Sequence, residues 1–545
     1  MIVLDILRVL GLLLLVLILF NILIVVHELG HFLAARWRGL VVERFAIWFG
    51  KPIWKTTWNG VEYRLGSIPA GGYVALPQLA SMEAVEGKNA AENLPPAKPL
   101  DKIIVAVAGP LFSFLLAIVF AVIVMAVGRP VAESEATQTI GYVLPDSPAA
   151  AAGLQAGDKI IAIDGNEILR WHGMVDSVIW GVVSSQGQTI RFDIERNGQP
   201  LVIEATPELA EREGVGRASL RQVGIAAKET PLIAQLTEDS LAEKAGLQVG
   251  DVILEGDGQA LYTRGQANDM LIGDPETSVD FLVLRGEQQL TVTVPRQPLR
   301  VAKVTSDIGP AAEAGIQAGD ELLTVNGVVA TSTEMVLEQI EATGDSGLPV
   351  VIRRDGEQLT LEVAPRENKE GNVRIGLLWD QNTGVGWMVG GPVELVRLSP
   401  YEQIVTSVRG MANTLGALFT PGSSIKAEHL SGPVGIINSY LVMLMSENGW
   451  RYALWFSVFL NVNLAILNML PIPVLDGGHI VLSLYEMIRR KPLNVRLVEF
   501  MQTACALLLM GYMLYVTFYD VVDIPRWFGW DMGPGAAGEF APREE

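Results

Sequence analysis

The stretch Asn21-Ile22-Leu23-Ile24-Val25-Val26-His27-Glu28-Leu29-Gly30-His31 closes an uncharged apolar run that begins at Val9. The run has about the length, roughly 20 residues, that a membrane-spanning helix needs. It is longer than the ~7–15-residue apolar region of a signal peptide and continues into His27-Glu28-Leu29-Gly30-His31, so it predicts a retained helix. On that helix the i, i+4 spacing of His27 and His31 puts two imidazoles on one face, able to grip one Zn²⁺ while Glu28 reaches a bound water. Two of the chain's five histidines sit here. An ionisable residue at the bilayer centre costs about 2.5–3.5 kcal/mol, which favours a functional reading over polar side chains that merely reach for the cytoplasmic interface.

Working outward, Ile103–Val127, Trp455–Leu475 and Thr503–Phe518 are also uncharged. A shorter apolar run, Val434–Met445, follows Gly432-Pro433 and is too brief to span, so it predicts an interfacial or re-entrant piece. Mean hydropathy is +0.34 over 545 residues, too apolar for a soluble enzyme and too long for a bare helical bundle. Arg36, Arg38, Arg44, Lys51 and Lys55 follow the first span, and Arg489, Arg490, Lys491 and Arg496 separate the third from the fourth. Both loops are therefore expected in the cytoplasm, with the Val131–Arg397 segment and both termini on the other side. A formal net charge of −20 argues against a nucleic-acid partner, whose phosphates demand a basic face. The single cysteine, Cys505, can form no internal disulfide.

A catalytic zinc site needs three protein donors and one open position. The third donor is sought in Asn468-Met469-Leu470-Pro471-Ile472-Pro473-Val474-Leu475-Asp476-Gly477-Gly478-His479, expected on the same side of the membrane as His27 and His31. Two prolines break the helix there, as is tolerated where backbone lines a cavity. Asp476 and His479 both qualify. His172 and His429 fall in exported segments and are expected to be surface or structural residues.

Between the second and third spans a pattern recurs: Ala152-Gly153-Leu154-Gln155-Ala156-Gly157-Asp158, Ala245-Gly246-Leu247-Gln248-Val249-Gly250-Asp251 and Ala314-Gly315-Ile316-Gln317-Ala318-Gly319-Asp320. Each copy is followed by alternating strands about a turn, at Arg196-Asn197-Gly198, Arg285-Gly286 and Arg354-Asp355-Gly356. The copies resemble PDZ domains of the permuted kind found in bacterial proteases, the second less clearly because Gly256-Asp257-Gly258 interrupts a strand end. Such domains bind peptides by strand addition, or could serve here as spacers or size filters.

Together these features closely resemble the site-2 protease family of intramembrane zinc metalloproteases, within it the bacterial regulator of sigma-E protease group. Three further segments carry the likeness: Gly66-Ser67-Ile68-Pro69-Ala70-Gly71-Gly72-Tyr73-Val74 is similar to a membrane-dipping β-hairpin, Ala108-Gly109-Pro110 to a second-helix motif, and Leu430-Ser431-Gly432-Pro433-Val434-Gly435 to the segment before the third helix. The resemblance implies that His27, His31 and Asp476 bind zinc, that Glu28 is the acid/base, and that Asn463, Gly71 and Gly72 hold substrate, the glycine strand by β-pairing. It further implies substrates of the anti-sigma-factor or signal-peptide-remnant type, trimmed beforehand by an upstream site-1 protease, and residence in the bacterial inner membrane with periplasmic PDZ domains and termini. Ser113 stands where the family often has Asn, and three PDZ copies stand where best-known relatives carry two.

The expected fold is α-helical in the membrane, with four transmembrane helices and a membrane-dipping β-hairpin, plus an α+β array of three PDZ domains. The expected spans are 1–38 for helix 1, 39–101 for loop and hairpin, 102–128 for helix 2, 135–228, 229–297 and 298–380 for the PDZ domains, 392–449 for an amphipathic segment, 450–479 for helix 3, 497–522 for helix 4 and 523–545 for an acidic tail. Two other functions compete. A membrane-anchored PDZ scaffold has no use for Glu28 between two histidines, and a metal transporter needs polar residues spread over several helices.

Overall fold

The computed structural model describes residues 2–78, 94–95, 97–209, 216–305, 309–343, 346–367, 373–491 and 493–524; the acidic tail lies, from 525 on, outside the described residues. The chain divides into two compact units, one from Met1–Val131, Leu209–Leu220 and Leu395–Trp527, the other from Ala132–Glu208 and Arg221–Glu394.

In the first unit, helix α1 (Ile2–Trp37) leads into four strands, β1 (Arg44–Phe49), β2 (Trp54–Trp58), β3 (Val61–Leu65) and β4 (Ile68–Ala75), followed by α2 (Pro99–Val127). After the second unit come α3 (Pro400–Phe419), α4 (Pro433–Met445), α5 (Gly449–Asn468), α6 (Asp476–Arg489) and α7 (Val495–Val522). Among the described residues four helices are long and apolar enough to cross a membrane: Leu7–Trp37, Pro99–Val127, Gly449–Asn468 and Arg496–Val522. At ~1.5 Å per residue, α4 covers only about two thirds of a ~30 Å hydrocarbon core.

α2 is the central element, packed against α1, α5 and α6. Pro99 starts it, where a missing N–H costs nothing, and Asp101 sits in its first turn. Ala117 and Ala121 are fully buried against Val458 and Val462 of α5, the small side chains that let helices approach closely in lipid. Helix α3 begins with a capping box, Ser399 accepting from the Glu402 amide and Glu402 from the Ser399 amide.

The sheet runs in the order β2-β3-β1-β4. β2 and β3 form a hairpin about Asn59-Gly60, both at positive φ. The expected hairpin at Gly66–Val74 is not one. β1 lies between β3 and β4, parallel to the former and antiparallel to the latter. The Gly66 amide donates to the Ile47 carbonyl at 2.8 Å, so the chain crosses the end of β1 instead of folding back on β3. This leaves β4 as an edge strand. Phe45, Val61, Val74 and Leu76 of the sheet region pack with Phe32 and Ala35 of α1 and with Val105 and Ala108 of α2.

The Leu430–Gly435 motif acquires a physical meaning at the other end of the bundle. Amides of Gly432 and Gly435, at the start of α4, donate to Asp520 Oδ2 of α7 at 3.0 and 2.9 Å. A Cβ on Gly435 would come within 2.6 Å of that carboxylate. Residues 216–220 belong to this unit although they fall inside the expected first PDZ span, and Arg217 pairs with Asp520 at 2.6 Å and with Asp523 at 3.0 Å.

The second unit contains three repeats, each with its own apolar core. In each, a hairpin arginine forks onto the aspartate of the Gly-Asp turn: Arg196 on Asp158, Arg285 on Asp251 and Arg354 on Asp320, each also donating to a glycine carbonyl. Asn197-Gly198 and Asp355-Gly356 turn their hairpins at positive φ, as their sequences predict. Gly256-Asp257-Gly258 is no irregularity. Asp257 and Gly258 (φ 50° and 76°) make the same turn as Asp164-Gly165 and Asn326-Gly327 in the other copies.

The expected boundary of the second repeat at 297 needs correction. Ile140–Val143 pairs with Ile225–Ala227 in the first repeat and Leu299–Val304 with Leu377–Asp380 in the third, but Ile233–Leu236 pairs with Val385–Trp387, beyond the third repeat. The third repeat is thus inserted within the second. Its two ends meet where Gln297 Nε2 donates to the Asn382 carbonyl at 3.0 Å.

Candidate metal centre and active site

The last turns of α1 carry His27 and His31, both buried, with Nε2 atoms 3.2 Å apart. Asp476 reaches them from the first residue of α6, its carboxylate oxygens 3.3 Å from His27 Nε2 and 3.4 Å from His31 Nε2. This placement follows from the proline-broken stretch. α5 ends at Asn468, the chain turns through Pro471 and Pro473, and α6 restarts at Asp476. A Cβ on Gly477 or Gly478 would lie 2.2 or 2.1 Å from a carbonyl oxygen of that returning loop, so the two glycines permit the tight reversal. Ligand atoms of His27, His31 and Asp476 all lie within 4.8 Å of one another. His479, the other sequence candidate, is not part of that group.

The donor set fits a divalent metal, two neutral imidazoles and a carboxylate being the composition of catalytic zinc sites. Space is kept for it by α2. A Cβ on Gly109 would stand 2.2 Å from His31 Nε2 and 2.9 Å from His27 Nε2, so the absent side chain leaves the ground in front of both nitrogens clear. The Nδ1 atoms face the other way, His27 Nδ1 3.0 Å from Ser113 Oγ and His31 Nδ1 2.8 Å from the Val105 carbonyl. Gly30 brings α1 to this distance: a Cβ there would meet the Ala108 carbonyl at 2.3 Å.

Glu28 lies between the histidines with Oε2 buried and without a hydrogen-bond partner among the described residues. Gly72 of β4 comes up beside it: a Cβ on Gly72 would lie 3.3 Å from Glu28 Cγ and 3.2 Å from Ile24 Cγ2. Gly71 is at φ +71° with the Phe49 ring beneath it, too close for any Cβ. Asn463 sits in α5 with Oδ1 buried and without a hydrogen-bond partner among the described residues. His429 is structural, its Nε2 2.8 Å from the Ala218 carbonyl.

Sequence reading missed what α2 contributes. Val105, Gly109 and Ser113 recur at i, i+4 and i+8, but a carbonyl, an absent side chain and a hydroxyl form no pattern by type. The signals were Ala108-Gly109-Pro110 in the middle of a spanning helix and, three residues on, Ser113 in place of the family's usual Asn.

A family model for peptidase family M50 matches residues 15–512. Protease RseP of Yersinia pestis is 28% identical over 515 residues, covering 92% of this chain and 96% of that one. A putative zinc metalloprotease of Vibrio cholerae is 27% identical over 517 residues (92% and 96%), and a regulator of sigma E protease of Salmonella typhi is 28% identical over 511 residues (92% and 96%). The fold and the donor set define a membrane zinc metalloprotease. The chain belongs to peptidase family M50, the site-2 protease family, and is a zinc metalloendopeptidase.

Proposed function

We propose that this protein performs regulated intramembrane proteolysis, cutting pre-trimmed single-pass membrane proteins, of the anti-sigma-factor or signal-peptide-remnant type, within an unwound transmembrane segment. His27, His31 and Asp476 hold the zinc ion and Glu28 is the acid/base. The observation that carries this reading is the position of Gly72, on a sheet edge where a Cβ would lie 3.3 Å from Glu28 Cγ.

A membrane helix offers no free peptide group, because its backbone is hydrogen-bonded internally. Substrate must therefore open, and the outer edge of β4 can accept it as an added strand, satisfying the released N–H and C=O groups. Gly71 and Gly72 present no side chain to obstruct it, and the amide oxygen of Asn463, without a partner among the described residues, is available to a substrate N–H. Zinc, when bound, supplies Lewis acidity towards water and the peptide carbonyl. Glu28 takes the proton from the attacking water at Oε2 and returns it to the departing amine. Burial excludes bulk water from competing for that carboxylate.

On this reading the protein lies in the bacterial inner membrane with the three repeats, as PDZ domains, and both termini in the periplasm. The repeats hold back substrates that still carry a bulky exported domain, and an upstream site-1 protease removes that domain first. The test is cleavage of a membrane-anchored reporter lacking its exported domain by wild type and Glu28→Gln, with bound zinc assayed in both. Loss of cutting with zinc retained is expected; equal cutting would overturn the assignment.

A further inference from the structure

We propose that Ser113 is a positioning residue for the metal centre, fixing the ring and tautomer of His27 through its Nδ1, and that α2 as a whole acts as an orienting cradle. The inference rests on the reading of His27, His31 and Asp476 as zinc ligands. Ser113 is fully buried, and its Oγ lies 3.0 Å from His27 Nδ1. An imidazole that ligates a metal through Nε2 while neutral must carry its proton on Nδ1. Ser113 Oγ is then the acceptor of that N–H, as the Val105 carbonyl is for His31 at 2.8 Å. The two acceptors come from one face of one helix, with Gly109 between them clearing the ground before both Nε2 atoms. Ring rotation at either histidine would strand a buried N–H, so both Nε2 lone pairs are held towards the same point as Asp476. A hydroxyl on a short side chain does for His27 what a backbone carbonyl does for His31. That is a reason for a small polar residue at position 113 that needs no contact with substrate.

Outer partners of ligating histidines are typically worth about 10–100-fold in metal affinity. The experiment measures zinc affinity of the full-length protein in detergent by competition with a chelator, and the visible spectrum of its Co²⁺ form. Variants are Ser113→Ala, Ser113→Thr, His31→Ala and, as a packing control, Ser457→Ala, a fully buried serine that bonds Tyr440 in the same bundle. Expected are a 10–100-fold weaker zinc affinity and an altered Co²⁺ spectrum for Ser113→Ala, recovery in Ser113→Thr, and wild-type affinity in Ser457→Ala. Wild-type affinity and spectrum in Ser113→Ala would overturn the proposal, as would equal losses in Ser113→Ala and Ser457→Ala. If His31→Ala keeps stoichiometric tight zinc, it is the underlying ligand assignment that fails.

Discussion

Gly72 and Glu28 are neighbours across the sheet–helix boundary: a Cβ on Gly72 would lie 3.3 Å from Cγ of Glu28. The carboxylate and the strand edge therefore share one space, and a side chain at 72 competes with whatever lies along that edge. Gly72→Leu is expected to lower reporter cleavage by about 100-fold, the order of loss for a misplaced reactant, while zinc content stays at the wild-type level. Unchanged cleavage would separate β4 from substrate binding.

Metal removal has a stability signature. A ligand that binds only the folded state stabilises it by about 4 kcal/mol at a thousand times its Kd. Chelation should abolish cleavage and lower the Tm of the membrane unit, with both restored by zinc. In Asp476→Asn, which removes the anionic donor, the zinc-dependent shift in Tm should largely vanish.

Asp520, about 1% exposed, caps α4 and pairs with the partly buried Arg217. Removing one partner of such a pair costs about 3–5 kcal/mol. Arg217→Ala and Asp520→Ala should each lower thermal stability in detergent, and the double variant should lose much less than the sum. Additive losses would show that the two side chains act separately.

The arginine forks predict equivalent effects at three places. Asp158, Asp251 and Asp320 are all essentially buried, so Arg196→Ala, Arg285→Ala or Arg354→Ala leaves a carboxylate short of donors at a cost of about 1–3 kcal/mol. Hydrogen exchange of the full chain should show faster opening confined to the repeat that carries the change.

Insertion of one repeat within another can be tested by excision. Replacing 299–380 with a short Gly/Ser linker leaves Val385–Trp387 to pair with Ile233–Leu236, and the meeting of Gln297 with Asn382 shows the ends are close enough to join. The second repeat should stay protease-resistant. Excising 299–390 removes the strand, and the same repeat should become cleavable.

How far the sequence alone reaches is clear from particular residues. His27, His31 and Glu28 are legible because helical spacing fixes their relative position, and Asn197-Gly198 and Asp355-Gly356 because the turn requires positive φ. Asp476 and His479 share one expected side of the membrane, and only the family resemblance separates them. The place of β1 between β3 and β4 was not legible, since a parallel pairing leaves no local turn signal. Nor was the true partner of Ile233–Leu236, about 150 residues away, because an apolar strand carries no mark of which edge it joins. Ser113 stood out only as a departure from a motif, and its role depends on which way an imidazole ring faces.

The inserted repeat also sets an order of assembly. Domains made on the ribosome usually close in the sequence in which they emerge, yet the second repeat cannot complete its sheet until Val385–Trp387 has been synthesised, after the whole of the third. The middle repeat is therefore the last of the three to finish. While it waits, the unpaired edge of Ile233–Leu236 is open to any extended segment that passes, so nascent chains have a window of vulnerability that the finished protein lacks.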